Sequence, residues 1–414
     1  MKELPTALYA TTEGEIFDAP GYEAVGRVGI WDAPLSLEDL IPLPPGADLM
    51  FLPDCSALAA QKGDIAPIAT TLLAVAAVLP AGYTRTHLPA YRKGPETPLL
   101  PLYGYTAVAM YADKMYVAAM KSDDNAKWDP RRYNTSALTG KIDKVKKDLP
   151  GNRLVEHLAR CSQQWHCCTA QNLFYQRWEA GIPVSPVCNA DCLGCISLQP
   201  AECCPAPQSR IEFNPSVDEV AAVGSYHLAS APEAIISFGQ GCEGEPALAA
   251  ETISAAIREM RGKTGRGIIN MNTNAGYTAG VKQIVDAGLD SMRVSMISAR
   301  QPVHQSYYRG NYLLDAVQES ILYAKSKGVY VSLNMLLLPG LNDQPEELAA
   351  WLEFLVAASV DMIQLRNLTI DPDVIWAAVP PDKPSLGVRA FVDALRQNLP
   401  QMRIGNFSRY IEKT

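Results

Sequence analysis

Cys188, Cys192 and Cys195 lie within eight positions of one another in PVCNADCLGCISLQP, residues 186–200 of a 414-residue chain. Thiolates so close together bind metals, carry redox chemistry or pair as disulfides. With ten cysteines in a chain large enough to bury its own core, a disulfide framework is unneeded, and metal or cluster binding is the better reading. A structural zinc site takes four nitrogen or sulfur ligands, often with histidine, and none of the five histidines falls in this segment. A bacterial ferredoxin run reads C-x2-C-x2-C-x3-C-P, whereas here the first gap is three residues and the only following Cys-Pro, Cys204-Pro205, is separated from Cys195 by eight residues. Three thiolates hold three irons of a [4Fe–4S] cluster and leave the fourth iron open to a non-protein ligand, as catalytic zinc keeps an open position.

Such a loop needs a rigid frame, and the residues after position 180 supply one. AIISFGQ precedes ALAAETISAAIREM, GIINMNTN precedes AGVKQIVDAG, SMRVSMIS precedes LLDAVQESILYAKSKG, VYVSLNMLLLPG precedes PEELAAWLEFLVAAS, and DMIQLRNL follows. Apolar strands alternating with amphipathic helices are successive βα units on a parallel sheet. About six units, counting one at the cysteines, predict an α/β fold with a partial (β/α)6 TIM-like barrel, active-site groups lying just after the strand C-termini.

The chain ahead of it differs in texture. Residues 1–149 are expected as a smaller, mixed, mostly β domain, with short extended segments such as EAVGRVGIW and a hairpin in YTAVAMYADKMYVAAM turning at Ala112-Asp113-Lys114. The longest apolar run, IAPIATTLLAVAAVL at 65–79, is too short to cross a bilayer and is read as a buried helix. LTGKIDKVKKD is a helix with a solvated lysine face, broken by Pro150-Gly151. The expected divisions are 1–149, a helical lead-in over 150–182, the barrel over 183–375 and a C-terminal extension over 376–414.

A 48% hydrophobic content suits a globular protein, and a net charge of −8 without a long Lys/Arg block disfavours a nucleic-acid partner. The N-terminus has acids early and no apolar core of a signal peptide, so a cytoplasmic, non-membrane protein is expected.

C-x3-C-x2-C on the first strand-loop of a βα series resembles the radical S-adenosylmethionine superfamily. The resemblance implies an enzyme with two cofactors, a [4Fe–4S] cluster on Cys188, Cys192 and Cys195, and S-adenosylmethionine chelated to the open iron. Reductive cleavage would give a 5′-deoxyadenosyl radical that abstracts hydrogen from a substrate. In SFGQGCEGEP, Gly244, Glu245 and Pro246 match the family's Gly-Gly-Glu-Pro-like segment, which meets the methionine ammonium, with Glu243 in place of the first glycine. NMNTNA and RVSMIS resemble further segments, so that Thr273, Asn274 and Ser295 would face the ribose hydroxyls and methionine carboxylate. Arg309 in YYRGN would pair with that carboxylate. In SLNMLLLPGLND, Asn334 would point inward and Leu338 lie near the adenine. Gly194 stands where the family commonly has an aromatic residue. The resemblance covers about residues 183–370 and implies a ferredoxin or flavodoxin electron donor and a small-molecule or peptide substrate. A different class, an electron carrier or sensor with Cys204 or another thiol as fourth ligand, would need neither barrel nor GEP segment. There is no Asp-x-His-x-x-Gly cobalamin signature and no second C-x2-C-rich C-terminal stretch.

Seven cysteines remain. Cys55 reads as a small buried hydrophobe. Cys161 and Cys167 in CSQQWHCC, with Cys203 and Cys204 in ECCP, either converge on a second metal or iron–sulfur site or are buried or free thiols; the single-cluster reading is preferred, because adjacent side chains in an extended stretch point to opposite faces. Cys168 neighbours them, and Cys242, in the loop after the second strand, is expected to face the cofactor cavity.

Overall fold

The computed structural model describes residues 4–100, 102–124, 126–198, 208–381 and 383–412. Its first part, residues 6–121, is built of antiparallel strands, most of them in one large sheet. The expected hairpin is there: Tyr105–Tyr111 pairs with Lys114–Val117, and Ala112 and Asp113 both take the left-handed conformation that a tight two-residue turn demands. The apolar run 65–79 corrects the helical expectation. It forms two strands, Asp64–Pro67 and Leu73–Val78. Leu73–Val78 lies inside the sheet, pairing with Asp48–Gln61, Thr6–Ala10 and Tyr105–Tyr111, so Ala74 to Ala77 are all buried. A strand covered on both faces is apolar throughout and carries no period-two signature to separate it from a buried helix.

Three helices follow: α1 (Leu138–Asp148), α2 (Arg153–Gln164) and α3 (Cys168–Tyr175). Helix α1 buries Leu138, Ile142 and Val145 at helical spacing and turns its lysines outward. Asn152 starts α2 by accepting hydrogen bonds from the Leu154 and Val155 N–H groups.

The barrel sheet has seven parallel strands in sequential order: β1 (Glu179–Gly181), β2 (Ile235–Phe238), β3 (Ile268–Thr273), β4 (Ser291–Met296), β5 (Tyr330–Leu337), β6 (Met362–Asn367) and β7 (Arg403–Gly405). Helices α4 (Val217–Ser230), α5 (Ala250–Lys263), α6 (Thr278–Asp286), α7 (Gln301–Tyr308), α8 (Leu314–Ser326), α9 (Pro345–Ala357), α10 (Pro372–Ala378) and α11 (Val388–Asn398) connect them. The seventh strand comes from the stretch expected as a C-terminal extension. Arg403–Gly405 pairs in parallel with Met362–Gln364, so this stretch carries the sheet's last edge.

Inward-facing positions of the sheet are polar. Glu179 on β1 pairs with Arg293 on β4, three strands away, at 3.3 Å, which a flat sheet would forbid and a curved one allows. Ser237, Asn270, Ser291, Ser332, Asn334 and Gln364 continue this lining through mutual hydrogen bonds and strand register.

The β-rich part packs on the C-terminal ends of the barrel strands. Gly29 N–H donates to Pro339 O beyond β5, at 3.0 Å. Lys93 pairs with Asp371 beyond β6, and Leu100 N–H donates to the same carboxylate at 2.9 Å. Arg85, fully buried, donates to Tyr103 O and to Leu368 O. One hydrophobic cluster runs through both parts, from Leu52 and Tyr91 to Phe391.

Candidate active site

The cysteine loop leaves β1 and crosses the mouth of the barrel. Its first half runs beside the GEP segment: Gly244 N–H donates to Ser185 O at 2.7 Å and Glu245 N–H to Val187 O at 2.9 Å. A Cβ on Gly244 would lie 2.0 Å from Val187 O, so glycine is what permits this approach. Its second half docks on the end of α7, where terminal carbonyls have no partner within the helix. Asp191 N–H donates to Tyr308 O at 2.9 Å and Leu193 N–H to Tyr307 O at 3.0 Å. Arg309, the left-handed residue that ends α7, donates to Asp191 O at 2.7 Å and meets the Asp191 carboxylate at 2.8 Å. Expected beside a methionine carboxylate, its guanidinium here clasps the cysteine loop.

Cys188, Cys192 and Cys195 are half-buried, free thiols gathered closely enough to act on one another electrostatically: burial, then the charges of Cys188 and Cys195, hold the Cys192 thiol far above its usual range. Arg210 Nη2 lies 3.5 Å from Cys195 Sγ, and its Nε donates to Ser197 Oγ at 3.1 Å. The space beside Gly194 belongs to Tyr307, whose hydroxyl would lie 2.9 Å from a Cβ there. Behind the loop stand His304, Tyr308 and Tyr312, the histidine ring 4.5 Å and 5.8 Å from the two tyrosines. Sequence reasoning missed this aromatic group. The hydroxyls of Tyr308 and Tyr312 are buried without hydrogen-bond partners among the described residues, and Tyr312 feels the charge of Cys192, Glu245 and Cys188. Three soft donors beside partnerless buried hydroxyls fit a sulfur-rich, polar occupant.

Glu245 is buried and bridges two strand ends. Its carboxylate accepts from Ala247 N–H at 3.0 Å, from Asn274 N–H at 2.8 Å and from Thr273 Oγ1, while burial raises its pKa. Asn274 Nδ2 in turn donates to Asn189 of the cysteine loop. Ser295 and Asn334 are half-buried register partners on β4 and β5, and Asn334 Oδ1 accepts from Arg366 Nε at 3.2 Å. Leu338 is fully buried, its N–H held by Asn342 Oδ1. The structure thus brings Gly244, Glu245, Thr273, Asn274 and Arg309 to the cysteine loop, with Ser295 and Asn334 on the barrel wall.

Glu243, which replaces a family glycine, ties β1 to β2. Its two oxygens accept from the N–H groups of Val184, Ser185, Gly239 and Gln240, against which burial pushes its carboxyl up to about 7. Cys242 does not face the barrel cavity as expected. It is buried against His157 and Cys161 of α2. Cys203 and Cys204 lie outside the described residues.

Residues 182–352 match the family model described as "Radical SAM superfamily". They are a Radical SAM domain. The family's cofactors are a [4Fe–4S] cluster and S-adenosylmethionine, its members are enzymes, and the electron-carrier alternative is not favoured. No curated protein matches the chain. Among solved structures, methylornithine synthase (PylB) is similar at 13% identity and TM-score 0.39 over 63% of this chain and 77% of that one. HydG, a maturase of the [FeFe]-hydrogenase, is similar at 15% identity and TM-score 0.38, covering 66% of this chain and 63% of that one. Streptococcus suis SuiB bound to S-adenosylmethionine is similar at 12% identity and TM-score 0.38, covering 65% and 60%. Among the described residues, no helix is long and apolar enough to cross a membrane.

Proposed function

We propose that Cys188, Cys192 and Cys195 hold three irons of the cluster and that S-adenosylmethionine binds at the fourth, between the GEP segment and the ends of β3, β4 and β5. The observation that carries this reading is the docking of the cysteine loop on both sides: Gly244 and Glu245 pair with it on one, the α7 terminus with Arg309 on the other. A cluster held by these three thiols would supply the electron for reductive cleavage of S-adenosylmethionine and so the means of hydrogen abstraction from a substrate.

The protein's own residues then have separate tasks. Glu245, held by Thr273 and Asn274, presents negative charge to the methionine ammonium, and Asn274 fixes the loop. Ser295 and Asn334 offer polar atoms to the ribose or carboxylate, and Leu338 backs the adenine side. A ferredoxin or flavodoxin supplies the electron.

The substrate is a polar small molecule or the polar part of a peptide, carrying an anionic group. Two guanidiniums, the buried Arg293 and the half-buried Arg366, lie beside the Glu179 carboxylate, and the three line a cavity of about 180 Å³ together with Gln240 and Ser408. Arg366 makes hydrogen bonds only to neutral side chains among the described residues, and burial together with the Arg293 charge pulls it down to about 10. A partly desolvated cation so placed is relieved by an anionic ligand. The β-rich part, packed over the strand C-termini, borders the entry and contributes to substrate choice.

The test is anaerobic reconstitution with iron and sulfide, reduction by dithionite, and measurement of 5′-deoxyadenosine. Turnover by the parent chain is expected, with its loss in Cys188→Ala, Cys192→Ala and Cys195→Ala, each of which leaves an iron unsupported. Undiminished product from all three variants would overturn the assignment.

A further inference from the structure

We propose that His157, Cys161 and Cys242, completed by Cys167, form a zinc site that ties the helical lead-in to the loop carrying the GEP segment. His157 and Cys161 are four residues apart on α2 and so share one face. Cys161 Sγ lies 3.5 Å from His157 Nε2. Cys242 reaches the same point from the loop after β2, and the three ligand atoms, all on buried residues, lie within 4.8 Å of one another.

That spacing fits one ion. Ligand atoms at ~2.0–2.3 Å from a tetrahedral zinc lie ~3.4–3.8 Å apart, a range the histidine–cysteine pair already meets. Thiolates on separate irons of a cluster are spread more widely. The donor set of imidazole and thiols, without a carboxylate, is that of structural zinc rather than of magnesium, calcium or manganese. Apolar burial alone would not gather an imidazole and two thiols at one point, since each polar group costs free energy to bury unless its donor atoms are used, as His157 Nε2 is here toward Cys161 Sγ.

Cys167 caps the start of α3, and its backbone N–H donates to Cys161 O at 3.1 Å; its thiol is taken as the fourth ligand, turned toward the three gathered ligand atoms when the ion binds. Four protein ligands close the coordination shell, so the ion has a structural task. An ion reaches the site from a cleft of about 360 Å³ lined by His157, Arg160, Cys161, Trp165, Arg210 and Phe213. Cys242 immediately precedes Glu243, Gly244 and Glu245, and its carbonyl accepts from Ile211 N–H at 2.8 Å. The metal would therefore brace, from outside the barrel, the loop on which the cysteine triad rests.

The full chain, produced in zinc-supplemented cells and purified anaerobically, is to be analysed for zinc and iron and by X-ray absorption at the zinc edge. About one zinc per chain is expected, with three sulfurs near 2.3 Å and one nitrogen near 2.0 Å. A variant lacking Cys188, Cys192 and Cys195 should keep this zinc, which separates the site from stray binding at the triad. Cys161→Ser and Cys242→Ser should each lower zinc severalfold. If these serine variants do not fold, the zinc-edge spectrum of the parent decides alone. A shell of oxygen and nitrogen only, zinc no higher than in the buffer blank, or about four further irons in place of zinc would overturn the proposal.

Discussion

Asn274 Nδ2 donates to Asn189 Oδ1 at 2.7 Å, so the end of β3 holds the residue that follows Cys188. The Asn274 amide is oriented for this, because its oxygen accepts from Gly276 N–H at 2.9 Å. Asn274→Asp keeps that acceptor, removes the donor and sets two oxygens against each other. A loss of roughly 1–3 kcal/mol in loop anchoring follows. We expect several-fold slower formation of 5′-deoxyadenosine with near-parental iron content. Equal rates would show that the loop is fixed without this contact.

Glu245→Gln places an NH2 group where the structure has donors on every side, from Thr273 Oγ1 and the N–H groups of Ala247 and Asn274. It also removes the charge proposed to meet the methionine ammonium. Losing a charge-assisted hydrogen bond of about 1.5–3 kcal/mol weakens S-adenosylmethionine binding roughly ten-fold or more. Equilibrium binding to the reconstituted, unreduced protein tests this. An unchanged dissociation constant refutes the role.

Arg210 reaches Cys195 Sγ at 3.5 Å. Hydrogen bonds to cluster sulfurs stabilise the reduced state and raise the reduction potential. Arg210→Leu should lower the midpoint potential in an EPR-monitored redox titration, while Arg210→Lys should restore part of the difference. A potential that does not move in either variant would remove Arg210 from the cluster's surroundings.

The contribution of Glu347 to stability should fall as pH rises toward neutrality, against the opposite trend of the buried His227 and His304, both held down to about 4 by burial. Burial pushes Glu347 up to about 7 from 4.5, with Ser298 Oγ as its hydrogen-bond donor. The unfolded chain releases this proton at lower pH than the folded one, so between the two values the folded state binds more protons and loses stability as pH increases. Glu243, also raised to about 7, and Asp343, raised to about 6, act in the same direction. Glu347→Gln removes one such titration. In urea unfolding series, the variant should gain on the parent from about pH 5 to about pH 8, with a constant difference at lower pH. A pH-independent difference would contradict the assignment.

The cysteine spacing and the alternation of strands and helices were legible because both are local: a motif within eight positions, and periods written into single segments. Residues 65–79 were misread for the complementary reason. Their strand state depends on neighbours at 6–10, 48–61 and 105–111, and a run buried on both faces has no period of its own. The role of Arg309 turned on a partner, Asp191, 118 positions away. Tyr307, Tyr308 and Tyr312 read as one face of a helix and its exit, and nothing in their spacing announced that their rings back the cysteine loop. Glu243 occupies a glycine position of the family's segment, and its grip on four N–H groups exists only once β1 and β2 lie side by side.

Arg85 is buried in the β-rich part, yet one of its hydrogen-bond acceptors is Leu368 O, 283 positions later in the chain. During synthesis the N-terminal part normally folds first, as a unit. Here it would have to bury a guanidinium whose acceptor is still untranslated, and the Asp371 that meets Lys93 and the Leu100 N–H is equally late. Leu368 and Asp371 both lie beyond β6, so this interface closes only after β6 has left the ribosome. Contacts of such sequence separation slow folding, and until they form, the strand ends that carry the cluster loop stay uncovered on that side. The contacts that close the barrel mouth on the side of the β-rich part are therefore among the last for which the whole sequence is available.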